Sequence, residues 1–208
     1  MKSYIIHFIR HGSIDDTLAG KYIGTTDAPL SDRGRMDLRK LDYEYKYPGT
    51  QVVFTSPLKR CTETAKILYP EQNPLVIDNL SECNFGEWEG KTADELKNDP
   101  DSEKWLAGDS SVKPPRGESN AEFTRRVCKM FESIVEGLMK TGTTESVIVT
   151  HGGVIMTLLA VYGLPQAKPF EWTMDNGFGY SLRVTPVLWQ RDKVCEVFQT
   201  IPLPSEND

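Results

Sequence analysis

An apolar run, Tyr4-Ile5-Ile6-His7-Phe8-Ile9, is broken by one histidine and stops at Arg10-His11-Gly12. It is too short for a membrane span or a signal-peptide core. A run of this length reads as a strand buried on both faces, which requires other layers above and below it. His7, inside the run, reads as a packed or hydrogen-bonded core histidine.

The remaining periodicity supplies those layers. Ser31 is a candidate cap for a helix through Arg35 and Leu38 towards Leu41. Residues 51–55 read as a second strand. Ser56-Pro57 then reads as an N-cap followed by proline at the first helical position, opening a helix to about Leu68. Residues 74–77 are a further candidate strand. Thr92 with Glu95, and Ser119 with Glu122, match capping boxes. The second opens a long helix on which Phe123, Val127, Met130, Phe131, Ile134 and Leu138 recur at helical spacing, a core-packing face. Residues 146–150 form a β-branched strand, Gly152-Gly153 opens an apolar helix ending near Gly163, and residues 180–185 and 194–200 read as closing strands. The tail from Pro202 to Asp208 is expected to fray. Strands alternating with helices imply one α/β domain over residues 1–208, with a covered sheet.

Composition narrows the partners. The chain has 208 residues and a net charge of −6, so non-specific binding to nucleic acid or an anionic membrane is not expected. An anionic ligand needs a local basic pocket. Cys61, Cys83, Cys128 and Cys195 stand far apart without a Cys-x-x-Cys pair, so neither a disulfide framework nor a zinc site is expected. No stretch reaches membrane length, and the chain reads as cytoplasmic. No pattern specifies an oligomeric state.

Two of the three histidines occupy the same kind of place. His11 follows the first strand and precedes Gly12; His151 follows Val147-Ile148-Val149-Thr150 and precedes Gly152-Gly153. Open α/β sheets bind ligands at the carboxyl ends of their strands, and glycine lets backbone N–H groups approach an anion closely. Arg10 adjoins His11. Arg60 lies in the first turn of a helix, where a cation opposes the helix dipole; an anion site accounts for it, since guanidinium forks match phosphate oxygens. Glu82, Glu87 and Glu89 lie in a glycine- and aromatic-rich loop. A departing phosphate-ester oxygen needs a proton donor, and composition alone does not choose among the three. Trp88, Trp105, Phe85 and Trp172 are candidates for an apolar wall or for packing, and Asp175-Asn176-Gly177 for a turn near the site.

These motifs together resemble the histidine phosphatase superfamily, the phosphoglycerate mutase-like group. The resemblance rests on Arg10-His11-Gly12, the loop Gly24 to Gly34, Thr55 to Ala65, Glu82 to Gly90, Pro115-Arg116-Gly117-Glu118-Ser119 and Val149 to Gly153, in family order over residues 4 to about 184. It implies a three-layer α/β/α sandwich with a mixed, mostly parallel sheet, and a helical excursion near residues 88–118 covering the site. His11 would be the nucleophile, carrying a phosphohistidine intermediate. Arg10, Arg60 and a protonated His151 would stabilise the transferred group, with Gly152, Gly24 and Thr25 as further substrate contacts. Glu82 aligns with the family's proton donor. No metal and no cofactor are implied. Ile14 and Thr17 stand where many members carry a hydroxyl residue and an asparagine that touch phosphate; Ser13 is the expected substitute. The chain lacks the fuller first motif of the mutases, so the resemblance implies a phosphomonoester hydrolase, of the α-ribazole 5′-phosphate or broad-specificity kind, acting on a small phosphate ester. The alternatives are a cofactor-dependent phosphoglycerate mutase and a phosphate-dependent binding module without turnover.

Overall fold

The computed structural model describes residues 2–109 and 111–204. In chain order its elements are β1 (Tyr4–Arg10), α1 (Asp32–Glu44), β2 (Tyr45–Lys46), β3 (Val52–Thr55), α2 (Lys59–Leu68), β4 (Leu75–Val76), α3 (Ala93–Leu96), α4 (Pro100–Leu106), α5 (Asn120–Thr141), β5 (Glu145–Thr150), α6 (Gly152–Tyr162), β6 (Gly163–Leu164), β7 (Gly179–Val184), α7 (Pro186–Asp192), β8 (Cys195–Ile201) and β9 (Leu203–Pro204). Seven strands form one sheet in the order β4-β3-β5-β1-β7-β8-β6. Only β7 runs against its neighbours. The expected mixed, mostly parallel sheet is therefore the observed one.

The first strand takes the central place because both of its faces are apolar. Ile6 and Phe8 join a core formed with α5, α6 and α7, including Phe131, Leu158 and Trp189. Ile9 points the other way, into a core with Leu38 of α1 and Cys61, Ala65 and Leu68 of α2. On β5, Ile148 faces the first core while Val147 and Val149 face the second. This alternation across the pleat produces the α/β/α layering. His7 is buried and bonds Ser181 Oγ at 2.8 Å, a core histidine as expected.

Local signals set most element ends. Ser31 caps α1, and both capping boxes are present. The start of α2 differs. The helix begins at Lys59, and Leu58 at the N-cap supplies no side-chain cap. Asp27 Oδ1, remote in sequence, accepts the Lys59 N–H at 2.7 Å instead. Ser56 is thereby released for another use, described below. The α7 helix has Pro186 in its first turn but no apolar repeat long enough to announce it. Residues 203–204, expected to fray, pair with β2; the rest of that tail, 205–208, lies outside the described residues. The four cysteines are free. No helix among the described residues is long and apolar enough to cross a membrane.

Phe131 is fully buried, with ring centroids 5.6 Å from Phe8, 5.4 Å from Tyr162 and 5.7 Å from Trp189. Phe131→Ala removes the ring joining α5 to the sheet, α6 and α7. It is expected to destabilise the chain by about 3–5 kcal/mol. Urea unfolding checks this: the midpoint falls while the denaturant slope is unchanged.

Candidate active site

The register of three parallel strands assembles the site. Arg10 of β1 pairs with Thr150 of β5, and Thr55 of β3 pairs with Val149. The residues that follow, Ser56, His11 and His151, therefore emerge side by side at one sheet edge. The two imidazoles lie edge to face with centroids 5.2 Å apart. His11 borders a cleft of about 510 Å³ lined at its base also by Arg10, Arg60, Glu82, Gly152 and Gly153.

His11 has a defined tautomer. Its Nδ1 lies 2.7 Å from Gly12 O; a carbonyl only accepts, so Nδ1 carries the proton and Nε2 keeps its lone pair. Burial, then the Arg60 and Arg10 cations, lower its pKa to about 3 against the Gly12 hydrogen bond. The imidazole is neutral at ordinary pH. Gly12 is anchored by its N–H to Thr64 Oγ1 at 3.0 Å. A Cβ at Gly12 would lie 2.6 Å from Leu38 Cδ1, so a larger residue there requires the Leu38 side chain of α1 to shift.

Arg60 is almost wholly buried. It donates to Gly24 O and Thr26 O, both at 2.7 Å, and through Nε to His151 Nδ1 at 3.2 Å. Three of its five donors are thus taken and two remain for a ligand. The Gly24–Thr26 loop is held from its other side by Glu89, whose carboxylate accepts from the Gly24, Thr25 and Thr26 N–H groups. Gly24 and Thr25 therefore do not line the cleft. Their N–H groups meet Glu89, and their segment positions Arg60. At Gly24 a Cβ would lie 1.8 Å from Cys83 O, so only glycine permits this approach. Glu87 pairs with Arg116 at the surface.

Arg10 donates from Nη1 to Met174 O at 2.8 Å. Its Nε is buried without a hydrogen-bond partner, an unusual state for a charged donor. Burial lowers the Arg10 pKa, while Glu82 and Asp175 raise it.

Glu82 Oε2 accepts the Gly153 N–H at 2.9 Å and Oε1 its neighbour Cys83 N–H at 3.0 Å. Burial nevertheless raises its pKa above the ordinary carboxylate value, against those two N–H groups and the arginines. A carboxyl so placed is suited to hold a proton. Gly153 is required here, since a Cβ would lie 2.4 Å from Glu82 Oε1.

His151 differs from the expected imidazolium. Its Nδ1 faces the Arg60 Nε–H, which can only donate, so this nitrogen is unprotonated. Its Nε2 then donates to Ser56 Oγ at 2.8 Å. Burial, then the neighbouring His11 and Arg60, push its pKa well below the usual value. His151 is fully buried behind Arg60 and braces it. Ser56 was legible only as a helix cap; its contact spans 95 residues, and no local pattern signals it.

The upper cleft wall comes mainly from residues 13–23, with Met156, Thr173, Met174 and Asn176. Ser13 and Ile14 line it; Thr17 does not. Asn176 donates to His11 O at 2.7 Å, so the 175–177 turn does lie at the site. Among its described residues, the 88–118 excursion contributes none to the lining. It buttresses the wall instead. Tyr22 packs on Phe85 and Trp105, which meets Trp88, and Tyr22 N–H donates to Lys91 O. Trp172 packs on Tyr180. The four flagged aromatics are thus packing residues.

The model of the histidine phosphatase superfamily (branch 1) matches residues 6–195. The chain belongs to that superfamily. It is 26% identical over 199 residues to an adenosylcobalamin/alpha-ribazole phosphatase of Salmonella typhimurium, covering 93% of this chain and 92% of that protein. It is 30% identical to a protein of Serratia proteamaculans named probable phosphoglycerate mutase, covering 77% and 75%. The alpha-ribazole phosphatase of Shigella flexneri has the same fold, with a TM-score of 0.78 at 23% identity, over 98% and 100% of the chains.

The neutral histidines have a stability consequence. The unfolded chain protonates its imidazoles as pH falls through about 6.5, whereas folded His11 resists until about 3, so stability drops on acidification across that window. Glu82, with its raised value, acts in the opposite sense. Urea midpoints between about pH 7.5 and pH 5 are expected to fall less for His11→Asn than for the wild type.

Proposed function

We propose that the chain is a phosphomonoester hydrolase in which His11 Nε2 displaces the alcohol of a small phosphate ester and carries the phosphoryl group to water. The observation that carries this reading is the neutral His11, with its Nδ1–H tied to Gly12 O and its Nε2 lone pair available beside two arginines and a protonatable Glu82. Covalent catalysis divides one difficult displacement into two easier ones.

In the first step the Nε2–P bond forms as the ester P–O bond breaks, and the Glu82 carboxyl protonates the leaving oxygen. In the second, Glu82 carboxylate takes a proton from water as its oxygen attacks phosphorus, and His11 leaves as neutral imidazole. Charge on the equatorial oxygens meets the Arg10 Nε–H, which has no protein partner, the two spare Arg60 donors and the Gly152 N–H at the start of α6. Neutral His151 accepts the Arg60 Nε–H through Nδ1 and so holds the guanidinium in place. The arginines supply the positive charge in this scheme without a metal. Among the described residues no three His, Cys, Asp or Glu side chains are grouped to hold one.

Hydrolysis is favoured over phosphoryl return to a bisphosphate. Beyond the arginines, the cleft wall bears two carboxylates, Asp15 and Asp16, and one lysine, Lys21. That wall is poorly matched to a second phosphate or a carboxylate. Apolar Ile14, Leu18, Ile23, Met156 and Met174 suit an organic leaving group such as a nucleoside, in keeping with the alpha-ribazole phosphatase relatives.

The test is turnover of p-nitrophenyl phosphate, α-ribazole 5′-phosphate and 3-phosphoglycerate in excess chelator. Chelator-resistant phosphate release is expected, with α-ribazole 5′-phosphate ahead of 3-phosphoglycerate. His11→Ala is expected to lower kcat by at least about 10³-fold and to abolish an acid-labile, alkali-stable phosphoenzyme. A phosphoenzyme persisting in that variant, or mutase turnover exceeding hydrolysis, overturns the reading. Gly153→Ala, which displaces the Glu82 carboxyl, is expected to lower kcat about 10²-fold with an unchanged circular dichroism spectrum.

A further inference from the structure

Glu82 sits on the irregular segment between the 3-10 turn Asp78–Leu80 and the turn Gly86–Trp88. A loop of this kind has no ladder of its own, and its carboxyl must be held to within a fraction of an ångström to serve as a proton donor. One side chain from another element does most of the holding. Arg126, on α5, donates through Nη1 to Asn79 O and Ser81 O, each at 3.0 Å, and through Nη2 to Glu82 O at 3.1 Å. Its Nε and Nη2 form a fork on the Glu118 carboxylate at 2.7 and 2.8 Å. All five guanidinium N–H donors are thereby used. Glu118 in turn accepts the Asn84 N–H at 2.9 Å through Oε2 and donates its own N–H to Asn84 O at 2.8 Å. Carbonyls before Glu82 and both backbone polar groups of Asn84 after it are thus tied to one ion pair.

The pair is set for this task rather than for surface attachment. Both side chains are about one-fifth exposed (21% and 20%), and Arg126 also lies over the Phe123 ring, 5.3 Å from its centroid. Burial works to raise the Glu118 pKa, but the Arg126 bonds and the Asn84 N–H outweigh it and hold the carboxyl below its ordinary value. A Lys at 126 offers three donors from one point and cannot span a carboxylate fork and three carbonyls together.

We propose that Arg126 and Glu118 are positioning residues for the general acid, fixing the Glu82 backbone so that its carboxyl meets the leaving oxygen. This rests on the reading of Glu82 as proton donor. Neither residue lines the cleft, so neither touches the substrate. Loosening the clamp weakens protonation of the leaving group and spares the attack of His11.

The consequence is a dependence on leaving-group basicity. An acidic phenol departs without a proton, whereas an alkyl alkoxide does not. The experiment measures kcat/KM for an aryl ester with an acidic leaving group and for an alkyl phosphate, in wild type, Arg126→Lys, Glu118→Gln and Glu82→Gln. The ratio of the two rates in one preparation is independent of the fraction folded, so instability of a variant does not obscure it. Arg126→Lys is expected to lose about tenfold or more on the alkyl ester and about threefold or less on the aryl ester, within the range of general acid catalysis. Glu118→Gln shows the same direction. Combining Arg126→Lys with Glu82→Gln adds little to the Glu82→Gln defect on the alkyl ester. Equal losses on both esters, or an unchanged ratio, overturn the proposal while Glu82→Gln still shows the selective loss. A flat response in Glu82→Gln itself overturns the assignment of the acid, and the proposal with it.

Discussion

The in-register parallel pairing of β3, β5 and β1 is the constraint from which the site follows. β1 and β5 end at the same level and β3 one residue short of them, and each hands one polar side chain to the edge: His11, His151 and Ser56. Their backbones are tied together beyond the strands, with Ser56 N–H on Val149 O and His11 N–H on Thr150 O. A slip of one residue in any of these strands would turn its apolar side chains to the wrong face. The two cores on either side of the sheet therefore enforce the geometry of the histidines. Packing and chemistry are specified by the same registers.

Upon that frame the chain buries a charge. Arg60 is held by two backbone carbonyls and the His151 ring, and its carbonyl-bearing loop is held from behind by Glu89. Desolvating a guanidinium is unfavourable unless its donors find acceptors, and the fold supplies three while leaving two. The field of Arg60 and Arg10, added to burial, keeps His11 neutral. Burial alone keeps Glu82 protonatable despite the same cations. Burial thus favours the neutral form of both cleft-lining groups, lowering the pKa of the His11 imidazole and raising that of the Glu82 carboxyl.

Much of this was legible before the fold was known. Arg10, His11, Arg60, Glu82, His151 and Gly152 were singled out by strand-ending glycines, a misplaced helical cation and the order of motifs, and all converge on the same corner of the sheet. Gly24 and Thr25 were legible as a motif but not in their role, because nothing local says that Glu89, more than sixty residues away, takes their N–H groups. Ser56 read as a helix cap because Ser-Pro before a helix usually is one; the remote Asp27 took the capping role and freed the hydroxyl for His151. Of the wall formed by residues 13–23 with Met156 and Met174, only Ser13 and Ile14 were marked in the sequence, by their place after the first motif.

By itself, the sequence determined six of the strands, the capped helices, the α/β class and the residue types able to hold a phosphoryl group. These depend on periodicity, caps and turn residues, which act over a few positions. The tertiary structure decided the tautomer of His11, the neutral state of His151, the role of Glu89 and the clamp of Arg126 on the Glu82 loop. Each of these depends on which donor meets which acceptor across many residues, in an interior where burial makes every such contact count. That pairing is a property of the packed chain, and no local run of residues contains it.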